Sequence, residues 1–243
     1  MISNILCPVD RSDCSRQALQ LALAIANWRH AHVKVINVGP AVMLYPALVA
    51  RVTPSVVATP TRAERAGRLA RFLQPHVNTL RPIDVILEEG DAATTIAAAV
   101  GLYAIDLIVM GTHGRSGLGR LTFGSVTQHV IGAARCPVLV VPPGAALLPW
   151  FHGFTRVLCS ATGREYARLL TDGDRAQITT LPSTESYDDI LQAASEARPD
   201  VIVWDREGAA IGTLVRKATV PVLSVSTSHV TPHRHHHAER CVS

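Results

Sequence analysis

The chain has 243 residues, of which 48% are hydrophobic, 17% charged and 5% aromatic. This composition excludes a disordered chain, and the scarcity of aromatic residues means that Ala, Val, Leu and Ile must fill the core. Such a core is typical of a parallel sheet covered by helices. The formal net charge of +4 comes from scattered basic residues rather than one basic face, which argues against nucleic-acid binding.

Cysteine usage and hydropathy indicate the compartment. Five cysteines without CxxC spacing predict a reduced, cytoplasmic protein. No apolar stretch approaches the roughly 20 residues of a membrane span, and the chain opens on a strand pattern rather than a signal peptide. The sequence therefore predicts a soluble protein with no membrane partner.

Hydrophobic periodicity divides the first 145 residues into alternating strands and helices. Strands are expected over residues 2–9, 33–38, 83–88, 107–110 and 137–141, and helices over 16–28, 62–80, 92–102 and 125–134. Residues 40–60 contain four prolines and show no clear period, which indicates an excursion over the surface. The alternation predicts an α/β fold in three layers, with a doubly wound, five-stranded parallel sheet. Ligands of such sheets bind beyond the carboxyl ends of the strands.

The second half repeats the first in shortened form. The matching segments are Asp106–Met110 with Asp200–Trp204, Cys136–Val141 with Val220–Val225 and, more weakly, Ile5–Cys7 with Val157–Cys159. A repeat of this length predicts two related units, over residues 1–145 and 153–228.

The second unit is expected to be truncated and to lack a site. Ten residues fewer separate its last two strands, and they are missing where the first half has a glycine loop. The chain between Cys159 and Asp200 is interpreted as too short for a second strand and its helix. Thr162 stands where the first half has Asp10.

The glycine loop is the strongest candidate site. Gly111-Thr112-His113-Gly114 follows a buried strand, and Gly124-Ser125 opens a helix. Glycines let backbone N–H groups approach an anion, and a helix N-terminus adds unpaired donors and a favourable dipole. Ser125 either caps that helix or gives its hydroxyl to a phosphate. A plain surface loop is the alternative, which the preceding strand, the following helix and the expected crevice disfavour; neither a Walker loop nor a GxGxxG fingerprint is present.

Three segments carry a family resemblance: Gly111-x2-Gly114-x9-Gly124-Ser125, the flanking residues 106–114 and 136–142, and Pro8-Val9-Asp10-x-Ser12. They resemble the universal stress protein family, and the first is similar to its ATP-binding signature. The resemblance spans about residues 1–143, and the two halves together resemble the tandem form of the family. It implies an adenine nucleotide alpha hydrolase-like fold, followed by a truncated second copy, and ATP as ligand with or without Mg²⁺.

The resemblance also implies a set of nucleotide-site residues, namely Val9, Asp10, Val38, Met110, Gly111, Gly114, Arg115, Gly124, Ser125 and Val126. Asp10 would meet the ribose or adenine side, Val9 and Val38 would border the adenine, and the glycine loop would wrap ribose and phosphates. His113 and Arg115 are phosphate-side neighbours that the motif does not fix. Two alternatives remain open: Asp10 as a helix N-cap and Val38 as a core residue.

Three functions are compatible with this reading. The first is a stress regulator in which ATP occupancy is read by an unidentified protein partner. The second is a slow ATPase or nucleotide-using enzyme in the same crevice, although no GxSxG motif or carboxylate pair supplies catalytic residues. The third is an interaction module without bound nucleotide. Loss of the glycine loop from the second half predicts one nucleotide per chain.

Two further expectations concern assembly and the tail. In the family, subunits pair through the last strand of each sheet, so Pro137–Val141 and Pro221–Val225 are predicted to pair antiparallel as an intramolecular pseudo-dimer, with a homodimer as a further option. The His-rich tail, residues 229–243, is expected to be disordered. Its imidazoles and Cys241 could instead bind Zn²⁺ or Ni²⁺.

Overall fold

A computed structural model gives the fold and describes residues 1–41, 60–76, 82–112, 124–145, 151–182, 186–205 and 211–226. The strands are β1 Asn4–Pro8, β2 His32–Gly39, β3 Ile83–Glu89, β4 Leu107–Gly111, β5 Val138–Val141, β6 Arg156–Ser160, β7 Gln177–Leu181, β8 Val201–Asp205 and β9 Val222–Val225. The helices are α1 Asp13–Arg29, α2 Arg62–Leu73, α3 Ala92–Leu102, α4 Ser125–Ala133, α5 Gly163–Ala167, α6 Tyr187–Ala197 and α7 Ile211–Lys217.

The nine strands form one sheet in the order β3-β2-β1-β4-β5-β9-β8-β6-β7. Neighbours within each half are parallel, and the halves join where β5 pairs antiparallel with β9, with Leu139 opposite Leu223. The predicted antiparallel pairing of these two segments is therefore confirmed. Because the join is antiparallel, the carboxyl ends of the strands of the two halves lie on opposite edges of the sheet.

Helices cover both faces of the sheet, as the three-layer α/β prediction requires. One apolar cluster packs the inner sides of α1, α2 and α5 against one face, and a second packs α3, α4, α6 and α7 against the other. A core rich in aliphatic residues suits this arrangement, since the central strands β4 and β5 are buried on both faces. The first half thus has the predicted fold.

The second half has more structure than the sequence suggested. Its strand order, β9-β8-β6-β7, matches β5-β4-β1-β2 of the first half. Strand β7 and helices α5 and α6 all lie between Cys159 and Asp200, so the expectation that this stretch was too short is wrong. It suffices because α5 has five residues and β7 five. The first half has in addition α2 and the edge strand β3.

Matching hydrogen bonds recur at the amino ends of the strands in both halves. Asp106 Oδ2 accepts the Asn4 N–H at 2.9 Å, and Asp200 Oδ2 accepts the Arg156 N–H at 3.0 Å. Each carboxylate thus ties the start of one strand to the start of its parallel neighbour. Asp106 and Asp200 were aligned in the sequence, so the structural match agrees with the alignment.

Several boundaries differ from those predicted. The first strand is shorter than residues 2–9, and the helix expected over 62–80 ends at Leu73, followed by a 3-10 turn, Gln74–His76. Most of the proline-rich excursion and the whole tail, 229–243, lie outside the described residues.

Candidate functional site

A cavity of about 180 Å³ lies at the carboxyl ends of β1, β2 and β4, facing the start of α4. Eight of the ten predicted site residues line it, namely Val9, Asp10, Val38, Met110, Gly111, Gly124, Ser125 and Val126. Gly114 and Arg115, like His113, lie outside the described residues. The structure therefore brings together every predicted residue that it describes, although these residues come from four separate stretches of chain.

The turn after β1 fixes Asp10 at the cavity wall. Asp10 Oδ1 accepts hydrogen bonds from the Ser12 N–H at 3.0 Å and the Ser12 hydroxyl at 2.6 Å. Ser12 in turn caps α1, because its Oγ accepts the Ser15 N–H at 3.1 Å. The alternative that Asp10 itself caps the helix is therefore wrong: Ser12 is the cap, and Asp10 is held beside it.

Gly111 ends β4 where the first turn of α1 passes closest to the sheet. A Cβ on Gly111 would come within 2.9 Å of the backbone carbon of Cys14. The Gly111 carbonyl also accepts the Thr127 hydroxyl at 2.9 Å, which ties α4 to the strand end. Close helix packing thus requires a glycine here, whether or not a phosphate lies nearby.

Helix α4 begins at the cavity, and no described side chain caps its N-terminus. Gly124 is its N-cap and makes no side-chain capping bond, while its own N–H donates to the Thr112 carbonyl at 2.9 Å. Ser125 is the first helical residue and its side chain is exposed, so the capping interpretation of Ser125 is wrong. The first N–H groups of a helix have no partner within the helix and carry the positive end of its dipole. They are suited to an anion.

Val38 offers backbone groups beside the cavity. Ile36 directs its N–H and C=O toward β1, since its carbonyl accepts the Val9 N–H at 2.9 Å. Residues two apart in a strand direct their backbone groups to the same side, so the N–H and C=O of Val38 also face β1. Val38 lies beyond the end of the β1–β2 pairing, because Pro8 is the last paired residue of β1. The half-buried Val38 side chain packs on the core, so the residue lines the cavity and contributes to the core as well.

Six further lining residues were missed: Pro8, Ser15, Ile36, Ala92, Ile96 and Thr127. Thr127 lies within one helical turn of Ser125 in α4, so helical spacing alone could have found it. Ala92 begins the helix that follows β3, and the topology places that helix start at the same edge of the sheet.

The described wall of the cavity carries a single charged side chain, that of Asp10. The nearby thiol of Cys7, inside β1, is fully buried, and this burial raises its pKa well above the ordinary range. Cys7 therefore stays neutral and acts as a small core residue. The anion-binding potential of the site comes from backbone N–H groups rather than from described basic side chains.

Comparison with known proteins supports this assignment of the first half. The model of the universal stress protein family matches residues 1–142, the half that contains the cavity. The chain belongs to the universal stress protein family. This universal stress protein is 33% identical over 144 residues to universal stress protein MJ0531 of Methanocaldococcus jannaschii, covering 58% of this chain and 82% of the relative. It is 31% identical over 148 residues to a universal stress protein of Thermus aquaticus, covering 58% of this chain and 99% of that one.

Solved structures match both halves of this universal stress protein. A universal stress protein from Archaeoglobus fulgidus aligns with a TM-score of 0.65 and 18% identity over 92% of this chain and 96% of that one. A functionally unknown protein, PA1789 from Pseudomonas aeruginosa, aligns with a TM-score of 0.61 and 13% identity over 93% and 92%. At these identities the shared property is the fold.

Within the described residues, no group of three His, Cys, Asp or Glu side chains is placed to hold a metal ion. No described helix is long and apolar enough to cross a membrane. The His-rich tail, whose imidazoles and Cys241 could bind a metal, lies outside these residues.

Proposed function

We propose that the N-terminal half binds ATP and that this universal stress protein acts as a nucleotide-dependent, cytoplasmic stress regulator. The observation that carries the proposal is the joining, in one cavity, of the Val38 backbone edge, Asp10 and the N-terminus of α4. These three elements provide a base-reading edge, a ribose acceptor and an anion site, in that order.

The Val38 backbone complements adenine. An adenine edge carries an amino donor beside a ring-nitrogen acceptor, which match a backbone C=O and N–H respectively. Guanine carries a carbonyl acceptor where adenine has its amino group, so the Val38 C=O would repel it. Val9 and Met110, both buried, provide an apolar surface for the base. Asp10 accepts hydrogen bonds, as a ribose hydroxyl requires.

The phosphates would lie at the start of α4. Its first N–H groups and the Ser125 hydroxyl are donors, and the helix dipole favours negative charge. Mg²⁺ in nucleotide sites uses one or two carboxylates together with phosphates, and Asp10 is the single carboxylate on the described wall. The described residues therefore do not form a resident Mg²⁺ site, and an ion would arrive on the nucleotide itself.

The second half is proposed to be a truncated repeat without a nucleotide site. Its strand order and its Asp200 bonds match those of the first half, but α2 and β3 have no counterpart among the described residues. Strand pairing makes Asp205 the counterpart of Gly111. Gly111 ends β4 opposite Val141 of β5, and Asp205 ends β8 opposite Val225 of β9. The Asp205 carboxylate is buried and bonded to the Thr162 hydroxyl. A carboxylate in the place of a glycine repels phosphate, so we propose one nucleotide per chain in a pseudo-dimer.

Binding rather than turnover is proposed. A hydrolase would need a general base near the attacking water, and the single carboxylate on the described cavity wall, that of Asp10, is already held by Ser12. ATP occupancy would instead set a conformation that a protein partner reads. Less than one phosphate released per chain over several hours is expected.

Calorimetric titration tests the proposal. ATP is expected to bind with a stoichiometry of one and GTP more weakly. Ser125→Glu puts a negative charge where the phosphates would lie, and charge repulsion should abolish ATP binding. Because the Ser125 side chain is exposed, the change should disturb the fold little. Ser195→Glu, the same change at an exposed position of α6, is the matched control and should bind as wild type. Absence of ATP binding by wild type, or equal affinity of the two variants, would overturn the proposal.

A further inference from the structure

The end of strand β1 contains an exchange of hydrogen-bond partners. Strand pairing brings the Val9 N–H to the Ile36 carbonyl at 2.9 Å, and the next bond of a parallel ladder would join the Val38 N–H to the Val9 carbonyl. The Val9 carbonyl instead accepts the Asn37 side-chain amide at 2.7 Å. A side chain thus replaces a backbone donor at the place where the candidate site begins.

The Asn37 amide and the Val9 carbonyl that it bonds belong to buried residues. Asn37 is 6% exposed and Val9 4%, so the Val9 carbonyl has little access to water and requires a protein donor. Without the Asn37 amide, the nearest donor along the strand would be the Val38 N–H. If the Val38 N–H paired with the Val9 carbonyl, it would no longer be available for the proposed adenine contact. The same shift of the peptide would move the Val38 carbonyl out of position.

We propose that Asn37 is a positioning residue that determines adenine specificity. By satisfying the Val9 carbonyl, it leaves the N–H and C=O of Val38 together at the cavity as a donor–acceptor pair. The inference rests on the proposed nucleotide site, but it assigns the site's preference for adenine to a buried side chain that lies outside the cavity lining.

The second half provides an internal comparison. Strand pairing sets Val35 opposite Cys7 and Thr180 opposite Cys159, so the residue two beyond Thr180, which is Pro182, corresponds to Asn37. Proline has neither a side-chain amide nor a backbone N–H. The half proposed to lack a nucleotide site therefore also lacks the side chain that would keep a base-reading edge open.

Hydrogen exchange tests the inference without nucleotide. In the wild-type chain, the Val38 amide should exchange about tenfold or more faster than the Ile36 amide, given the worth of one hydrogen bond. In Asn37→Leu, Val38 should become protected as it pairs with Val9. Equal protection of the Val38 and Ile36 amides from exchange in the wild-type chain would overturn the inference. This comparison uses only the wild-type chain, so it does not require that any variant folds.

Nucleotide affinities provide the second test. Asn37→Leu and the isosteric Asn37→Asp should each weaken ATP binding about tenfold, the worth of one hydrogen bond, and bring the ATP-to-GTP preference close to one. Asn4→Leu is the control, because it removes an Asn amide bonded to the Ala104 carbonyl at the opposite edge of the sheet; it should keep both affinity and preference. An unchanged ATP-to-GTP preference in folded Asn37 variants would refute the proposed role of Asn37 but not the proposed nucleotide site. If wild type binds no ATP, the proposed function fails while the exchange test still decides the backbone geometry.

Discussion

Gly111 and Cys14 lie so close that a Cβ on the glycine would come within 2.9 Å of the Cys14 backbone. The contact joins the end of β4 to the first turn of α1, and both elements line the candidate site. A residue that the family signature associates with nucleotide binding is therefore also fixed by helix packing.

Gly111→Ala should destabilise the fold. Backbone atoms of Cys14 cannot move aside as a flexible side chain can, so the added methyl should lower the free energy of unfolding by about 1–3 kcal/mol. Gly132→Ala is the control, since no atom lies within 4 Å of a Cβ there, and it should be neutral or raise stability by up to about 1 kcal/mol because alanine favours helix. Urea unfolding measures both, and equal stabilities of the two variants would contradict the packing argument.

The N-terminal half was largely predictable because strong apolar runs alternate with helical periods there. Met110, Gly111 and Val9 were placed at the cavity by the resemblance to the universal stress protein family, and the rule that strand ends meet at one edge agrees with that placement. The geometry of Ser125 was not predictable, because capping depends on the backbone of the preceding residue, Gly124. Asn37 gave no signal, since its partner, Val9, directly follows a different strand, β1.

The second half was misread for a specific reason. Strand β7 is an edge strand with polar residues and no fully buried position, so it shows no apolar run. Helix α5 has five residues, which is shorter than one and a half helical turns, and displays no period. The apolar strands β8 and β9, buried along their whole length, were recognised without difficulty.

Ser12→Ala should affect both stability and the site. Loss of the α1 cap should lower the free energy of unfolding by about 0.5–2 kcal/mol. Asp10 keeps the hydrogen bond from the Ser12 N–H but loses the one from the Ser12 hydroxyl, so its carboxylate is held less firmly and ATP binding should weaken. Ser186→Ala removes the N-cap of α6, a helix of the second half, and should lower stability by a similar amount without changing ATP affinity. Titration and unfolding of both variants separate the two effects; equal ATP affinities would show that Ser12 acts only as a cap.

Arg29→Met should loosen the contact between the halves. Arg29 Nη2 donates to the carbonyls of Arg168, Leu169 and Thr171 at 3.2, 2.8 and 3.0 Å, and its guanidinium stacks on the Trp28 ring at 3.7 Å. Leaving these acceptors without a donor should lower the free energy of unfolding by about 2–3 kcal/mol.

Arg68→Met, on the exposed side of α2, is the control for Arg29→Met and should change stability little. Arg29→Lys should be intermediate, since an ammonium lacks the planar fork of the guanidinium. Denaturant unfolding gives all three values. The role of Arg29 in joining the halves would be refuted by an Arg29→Met variant as stable as Arg68→Met.

Asp200 should make stability depend on acid pH. Burial raises the pKa of its carboxyl, but hydrogen bonds from Thr155 and Arg156 outweigh burial, and the pKa lies below its ordinary value. The unfolded chain then binds more protons than the folded chain at acid pH, so the contribution is complete above the unfolded pKa of about 3.9 and is lost as pH falls through the folded pKa. Urea unfolding from about pH 7 down to about pH 2, a range that extends below the unfolded pKa, should show a flatter profile for Asp200→Asn than for wild type. Thr155→Val removes one of the bonds, at 2.6 Å, and should fall between them; a variant profile as steep as wild type would assign the acid sensitivity to other carboxylates.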